Sequence, residues 1–184
     1  MAGNWLQKYL EVMEKEERVG IVGATGTYES YYSSLLFDHS WRWNRRAAFS
    51  ENYRKYKLLV KTLLLYRFYF KPFPNPHIRT NAFFISRDVW MSIKLHIPKS
   101  KLQAYLIESG RNGLTGQVLK KNLQVMVMDK SGAYYPVSQW HESQTFWTGD
   151  QKNLLVSDNQ TRKFGKANRP EQQRLTFKAW GRYE

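Results

Sequence analysis

The chain has 184 residues, no cysteine, and 29 lysines and arginines against 15 acidic residues, for a formal charge of +14. That length suits one domain with a real core plus extensions; the lack of cysteine excludes disulfides, thiolate metal sites and cysteine nucleophiles. So basic a balance points to an anionic partner such as a phosphate backbone, acidic lipid headgroups or an acidic protein, and a 16% aromatic share argues against global disorder.

From residue 4 to about 18 the pattern is helical, with Trp5, Tyr9, Val12 and Met13 on one side and Lys8, Glu11, Glu14 and Lys15 between them. No apolar run follows a basic end, so a secretory signal is not expected, and the acids argue against an uncleaved mitochondrial presequence. Residues 1–40 carry three basic and six acidic side chains. This acidic arm is therefore expected to pair with part of the basic stretch that follows it.

Next, Val19, Ile21 and Val22 read as a strand, and Gly20, Gly23 and Gly26 make a G-x-x-G-x-x-G run. The run resembles the opening of dinucleotide-binding reductases such as the semialdehyde dehydrogenases. That resemblance implies backbone amides meeting a pyrophosphate at a helix N-terminus, with Asp38 placed for a ribose. It covers about twenty residues; the chain then reads WRWNRR instead of further βαβ units, so a dinucleotide enzyme stands as a minor alternative.

Residues 41–73 hold two tryptophans, four tyrosines, four phenylalanines and nine basic side chains against one acid, Glu51. In its first half, Trp41, Arg42, Trp43, Arg45 and Arg46 alternate rings with guanidiniums, as expected where bases stack and phosphates are clamped. Ser50 is a candidate N-cap, and a helix from Glu51 to Phe70 places Arg54, Lys57 and Lys61 on one stripe. Tyr56, Leu59, Val60, Leu63, Leu64 and Phe68 are expected opposite that stripe. Leu65, Tyr66 and Arg67 resemble the motif that names the small mitochondrial LYR proteins, which implies docking of an acyl carrier protein on a helical bundle. Pro72, Pro74 and Pro76 end the helix.

Beyond the prolines the period changes to two. Residues 88–98 alternate Val89, Met91, Ile93, Leu95 and Ile97 with Trp90, Ser92, Lys94 and His96, which predicts a half-buried strand with an aromatic and basic outer face. A short helix follows, capped by Ser100 and stopped by Gly110. After the loop RNGLTG, residues 122–128 are apolar on both faces and predict a central strand, and DKSG turns it into a hairpin with AYYPVSQW. Further strands are expected at 145–148 and 153–157. The basic tail contains RLTFKAW, which alternates as a closing strand with Arg174 and Lys178 outward.

His39, His77, His96 and His141 show no metal-ligand spacing, and neither G-x-S-x-G nor S-x-x-K occurs. Asp129 and Glu142 could approach each other across the hairpin.

The resulting expectation is an α+β fold: an N-terminal helical arm of about two helices, then a small antiparallel sheet or barrel-like meander with one short helix. Its segments are a basic-aromatic region 1–76, a β-rich domain 77–161 and an extension 162–184. The expected function is a non-enzymatic, nucleic-acid-binding or structural component of a nucleoprotein assembly, of ribosomal or viral-particle type. Contacts would run through Trp41, Arg42, Trp43, Arg45, Arg46, Arg54, Lys57, Lys61, Lys94, Arg174 and Lys178 to phosphates and bases, RNA or single strands above all. No cofactor, metal or small-molecule substrate is expected. The alternative is an accessory subunit of a membrane-bound or organellar complex that lays residues 53–73 on a lipid or protein interface, and an intracellular or virion location fits better than secretion.

Overall fold

The computed structural model describes residues 4–36 and 48–181. The fold is α+β. Its main sheet is open, with four strands in the order β4-β1-β5-β6, and a two-stranded ladder of β2 (Gly26–Thr27) and β3 (His77–Ile78) is separate from it. Strands β1 (Val19–Gly23), β4 (Phe83–Ile85), β5 (Gln124–Met128) and β6 (Tyr134–Pro136) are mostly antiparallel neighbours, but β1 and β5, the inner pair, run parallel.

Both inner strands are apolar on both faces, and their alternate residues feed two separate cores. Ile21, Val125 and Val127 face a cluster with Leu114, Trp140, Leu175 and Trp180, whereas Val19, Val22, Met126 and Met128 face Tyr9 and Val12. Helix α1 (Trp5–Lys15) covers the second face through Tyr9 and Val12. Helices α6 (Leu114–Lys120) and α8 (Arg169–Trp180) supply Leu114, Val118, Leu175 and Ala179 to the first. Residues from 1–76, 77–161 and 162–184 thus share one core.

Several elements follow the sequence closely. Helix α1 forms as expected, helix α5 (Lys101–Ser109) has the Ser100 hydroxyl accepting from Gln103 N–H, and β5 is central with β6 as its hairpin partner. The glycines of G-x-x-G-x-x-G lie in β1 and in β2 (Gly26–Thr27), and they serve packing. A Cβ on Gly23 would stand 2.5 Å from an Ile78 methyl, and one on Gly26 would stand 2.6 Å from the Trp140 ring. The next helix, α2 (Tyr31–Leu36), starts well beyond Gly26, so no glycine loop meets a helix N-terminus. Asp38 lies outside the described residues.

Other expectations are corrected. Residues 88–98 are not a strand: α4 (Arg87–Met91) starts at Ser86, whose hydroxyl accepts from Val89 N–H, and Asp88 sits in its first turn. The chain after it is held as a loop, with Gln117 bonding the N–H and C=O of Lys94 at 2.9 Å each. RLTFKAW is helical within α8, because the Asn168 cap, Pro170 in the first turn and Gly181 in the left-handed region frame a helix. Its buried residues, Leu175, Thr176, Ala179 and Trp180, have helical spacing, and Phe177 is exposed.

The strands expected at 145–148 and 153–157 are loop. Trp147 has positive φ inside the first, and the second is entered by a turn in which Leu154 N–H donates to Gln151 C=O. The second half of RNGLTG, from Leu114, belongs to α6, with Gly113 as its cap, while α7 (Asn159–Lys166), β2, β3 (His77–Ile78) and β4 are elements not expected.

Helix α3 (Phe49–Tyr69) begins at Ala48 rather than at a Ser50 cap. Leu64 and Phe68 do not lie opposite the basic stripe; they continue it, at i+7 and i+11 from Lys57. Among the described residues no acid of the arm pairs with α3 either. The ion pair of α1, Lys15 with Glu11, is internal to it, and Glu16, at its C-terminal cap, accepts from the Tyr134 hydroxyl.

Candidate functional site

Among the described residues, the expected contacts lie on three segments: α3, the loop after α4, and α8. Trp41, Arg42, Trp43, Arg45 and Arg46 lie outside the described residues. Arg54, Lys57 and Lys61 are exposed along α3, and Lys94 is exposed on the loop after α4. Arg174 and Lys178 lie on α8, and both are already paired. Arg174 meets Glu171 through two 2.7 Å hydrogen bonds, and Lys178 Nζ lies 2.7 Å from Glu29 Oε1.

Those two cations help to line a cleft of about 1380 Å³, between the β2-β3 ladder, the N-terminal turn of α2, the end of α5 and the start of α7. Its walls carry side chains that the sequence reading passed over: His77, Arg79, Asn81, Glu108 and Asp158. Their placement follows from local chemistry. Asn75 is buried and bonded to Tyr28 C=O and Ser109 C=O, which fixes the chain between the prolines and β3. Strand β3 then pairs His77 with Thr27 and Ile78 with Gly26, so that residues 77–81 run along the cleft wall.

His77 is buried, and its Nδ1 lies 2.8 Å from the Asn75 carbonyl oxygen. A carbonyl can only accept, so Nδ1 carries the proton and Nε2 presents a lone pair. Burial pushes the imidazole pKa below its ordinary value, and Arg79 adds to this. The Asn75 bond and the charges of Glu108 and Glu29 oppose the shift without reversing it. His77 is therefore a neutral base at pH 7.

Glu108 accepts from Thr80 N–H at 2.9 Å and from the Thr80 hydroxyl at 3.3 Å, both on Oε1. Among the described residues nothing bonds its Oε2. Asn81 Oδ1 accepts from the Thr25 hydroxyl, and its Nδ2 is buried without a partner. An unsatisfied buried donor of this kind costs about 1–3 kcal/mol.

The cations of the cleft are occupied. Arg79 Nη1 stands 2.8 Å from Asp158 Oδ2, a close charge contact without an aligned hydrogen bond, and its guanidinium lies 4.2 Å over the Phe146 ring. Asp158 also caps α7, accepting from Gln160 N–H and Thr161 N–H. Burial acts to raise its pKa; the Thr161 amide and the Arg79 charge outweigh it and hold the carboxyl below the usual range.

The loop at 144–151 brings Phe146 and Trp147 to the same cleft. It is strained: Gln144, Trp147 and Gln151 have φ of 53°, 44° and 49°. Non-glycine residues held there cost on the order of 1 kcal/mol each and persist where neighbours over-determine them. Here Gln151 is the clamp, accepting from Trp147 N–H and donating to Thr161 C=O, while Trp147 Nε1 donates to Gln160 C=O.

The sequence did contain a signal for this site. HIRTN places an imidazole, a guanidinium, a hydroxyl and an amide within five positions after a proline-rich turn, but that turn was read only as a helix stop. Asp129 and Glu142 do not build a site: Asp129 is spent on its own turn and the Tyr135 hydroxyl. Among the described residues, no group of three potential metal ligands comes together. No known protein family, curated protein or solved structure matches the chain.

Proposed function

We propose that this chain is a binding protein whose cleft takes a small polar molecule. The observation that carries the reading is the convergence of His77, Arg79 and Asn81 from the 77–81 run, Glu108 from α5 and Asp158 from the cap of α7 on one concave surface with hydrogen-bonding capacity left over. Pockets with a few convergent polar groups and perturbed titratable residues are the default location for ligands. This departs from the expectation that no small molecule is bound.

The chemistry narrows the class. Arg79 is met by Asp158 and Lys178 by Glu29, so the cleft offers no unclaimed cationic fork to a phosphate. What remains open is acceptors, Glu108 Oε2 and His77 Nε2, while Asn81 Nδ2 is a donor buried without a partner. A ligand bearing hydroxyl or amine groups donates to the two acceptors. The nucleic-acid reading keeps the unpaired cations of α3 in its favour, and has the aliphatic side chains between them against it.

Thermal shift with a panel of neutral hydroxylated compounds, small amines and nucleoside phosphates tests the reading. A hydroxylated or amine compound at about 100 times its Kd should stabilise the fold by about 2.7 kcal/mol, and Glu108→Gln should abolish that gain. Indifference to the whole panel, or a gain that survives both Glu108→Gln and Asn81→Ala, would overturn it.

A further inference from the structure

At 1.5 Å per residue α3 is about 30 Å long, yet Asn52 is its only buried residue. Tyr66 packs on Tyr31 and Phe70, and Leu59 and Leu63 are half-buried. The far end is fastened, where Arg111 donates from Nε and Nη2 to the Arg67 carbonyl and from its backbone N–H to the Tyr69 carbonyl.

The outward side carries Lys57, Lys61, Leu64 and Phe68 in one stripe, flanked by Arg54, Leu58 and Leu65. Leu64 is 59% exposed and Phe68 77%. Beyond Phe68 the loop at 94–98 adds Ile97, 88% exposed. Phe68, Tyr69, Ile97 and Leu106 line an apolar hollow of about 330 Å³ with Lys94 and Arg111 beside them. Among the described residues, no carboxylate pairs with Arg54, Lys55, Lys57, Lys61 or Arg67.

A surface that is both greasy and positive is complementary to one that is both apolar in depth and negative at its rim. A phosphate backbone supplies the charge but has no volume for Leu64, Phe68 and Ile97. An anionic bilayer supplies both, because lysine stems lie along apolar surface while their ammonium groups stay at the headgroups. Among the described residues no helix is long and apolar enough to cross a membrane, so the contact lies in the surface plane.

We propose that α3 and the 94–98 loop dock onto an anionic lipid bilayer, with Phe68, Tyr69 and Ile97 below the headgroups and Lys57 and Lys61 among them. The test is co-sedimentation with vesicles of phosphatidylcholine alone and of phosphatidylcholine mixed with phosphatidylserine. The protein should partition onto the mixed vesicles and not the neutral ones. Lys57→Ala and Lys61→Ala should each weaken partitioning about fivefold, and Phe68→Asp with Ile97→Asp should abolish it. All four side chains are exposed, so circular dichroism and melting should match the unchanged chain.

Equal partitioning on both vesicle types, or none on either, overturns the proposal. So does unaltered binding in the Phe68→Asp, Ile97→Asp variant. Salt-dependent binding to single-stranded RNA that the lysine substitutions remove, without vesicle binding, would reassign the face to nucleic acid. Self-association lost only in the aspartate variant, without vesicle binding, would reassign it to a second copy.

Discussion

The cleft and the outer face of α3 both concentrate charge, but they handle it oppositely. In the cleft each cation has a counter-charge at close range, and one of these carboxylates, Asp158, is further tied to the Gln160 and Thr161 amides. Among the described residues, the cations of α3 have no carboxylate partner and lie beside exposed leucines and rings. Paired, partly buried charge is part of the fold, and removing one partner strands the other. Free surface charge contributes little to stability and is left for association. Electrostatic density alone therefore does not locate a binding surface; what distinguishes the two regions is which charges already have a partner.

The sharpest way to break that contrast is Asp158→Ala, which removes the α7 cap and the counter-charge of Arg79 together. A loss of about 3 kcal/mol in chemical denaturation is expected. Asp158→Ala with Arg79→Met should lose clearly less, because no guanidinium is then stranded. Gly26→Ala comes next: its methyl would meet the Trp140 ring that floors this side of the fold, at a cost of about 1–3 kcal/mol.

Acid titration probes the same cleft. His77 has a lowered folded pKa, so below the ordinary value near 6.5 the unfolded chain takes up a proton that the native one refuses. Its contribution is complete above that pH and is lost as pH falls, at up to about 1.4 kcal/mol per pH unit. His77→Gln should flatten this slope. The Asp158 carboxyl, also lowered, adds loss only at more acid pH, below about 4, and Asp158→Asn should remove that part. The smallest effect belongs to α3, where Lys57→Ala with Lys61→Ala should move the melting temperature by no more than about 2 °C. A larger change would mean that these lysines are structural.

Much of the fold was legible because its signals were local. Trp5, Tyr9 and Val12 mark one helical face, Ser100 caps α5, and the doubly apolar run at 124–128 marks an inner strand. What misled was alternation that two structures can share. Leu175, Phe177 and Ala179 alternate as in a strand, but Asn168, Pro170, Glu171 and Gly181 form helix boundaries, and boundary chemistry decided. In α4, Ser86 and Asp88 did the same. Beyond the HIRTN run the cleft was illegible, because its parts, at 29, 77–81, 108, 146–147 and 158, become neighbours only through tertiary packing. Net charge pointed to α3 and to Arg174 and Lys178 alike; their partners, Glu171 and Glu29, are visible only once α8 is folded as a helix.

The parallel pairing of β1 with β5 also bears on how the chain is made. Val19 sits opposite Gln124 and Gly23 opposite Val127, about a hundred residues later. At roughly 5–20 residues per second a ribosome completes β1 at least five seconds before its inner neighbour exists. Through that interval a fully apolar strand, VGIVG, has an open edge, and the Tyr9 and Val12 face of α1 is already synthesised to cover one of its two faces. The first helix is thus placed to shield that face while the edge waits for β5.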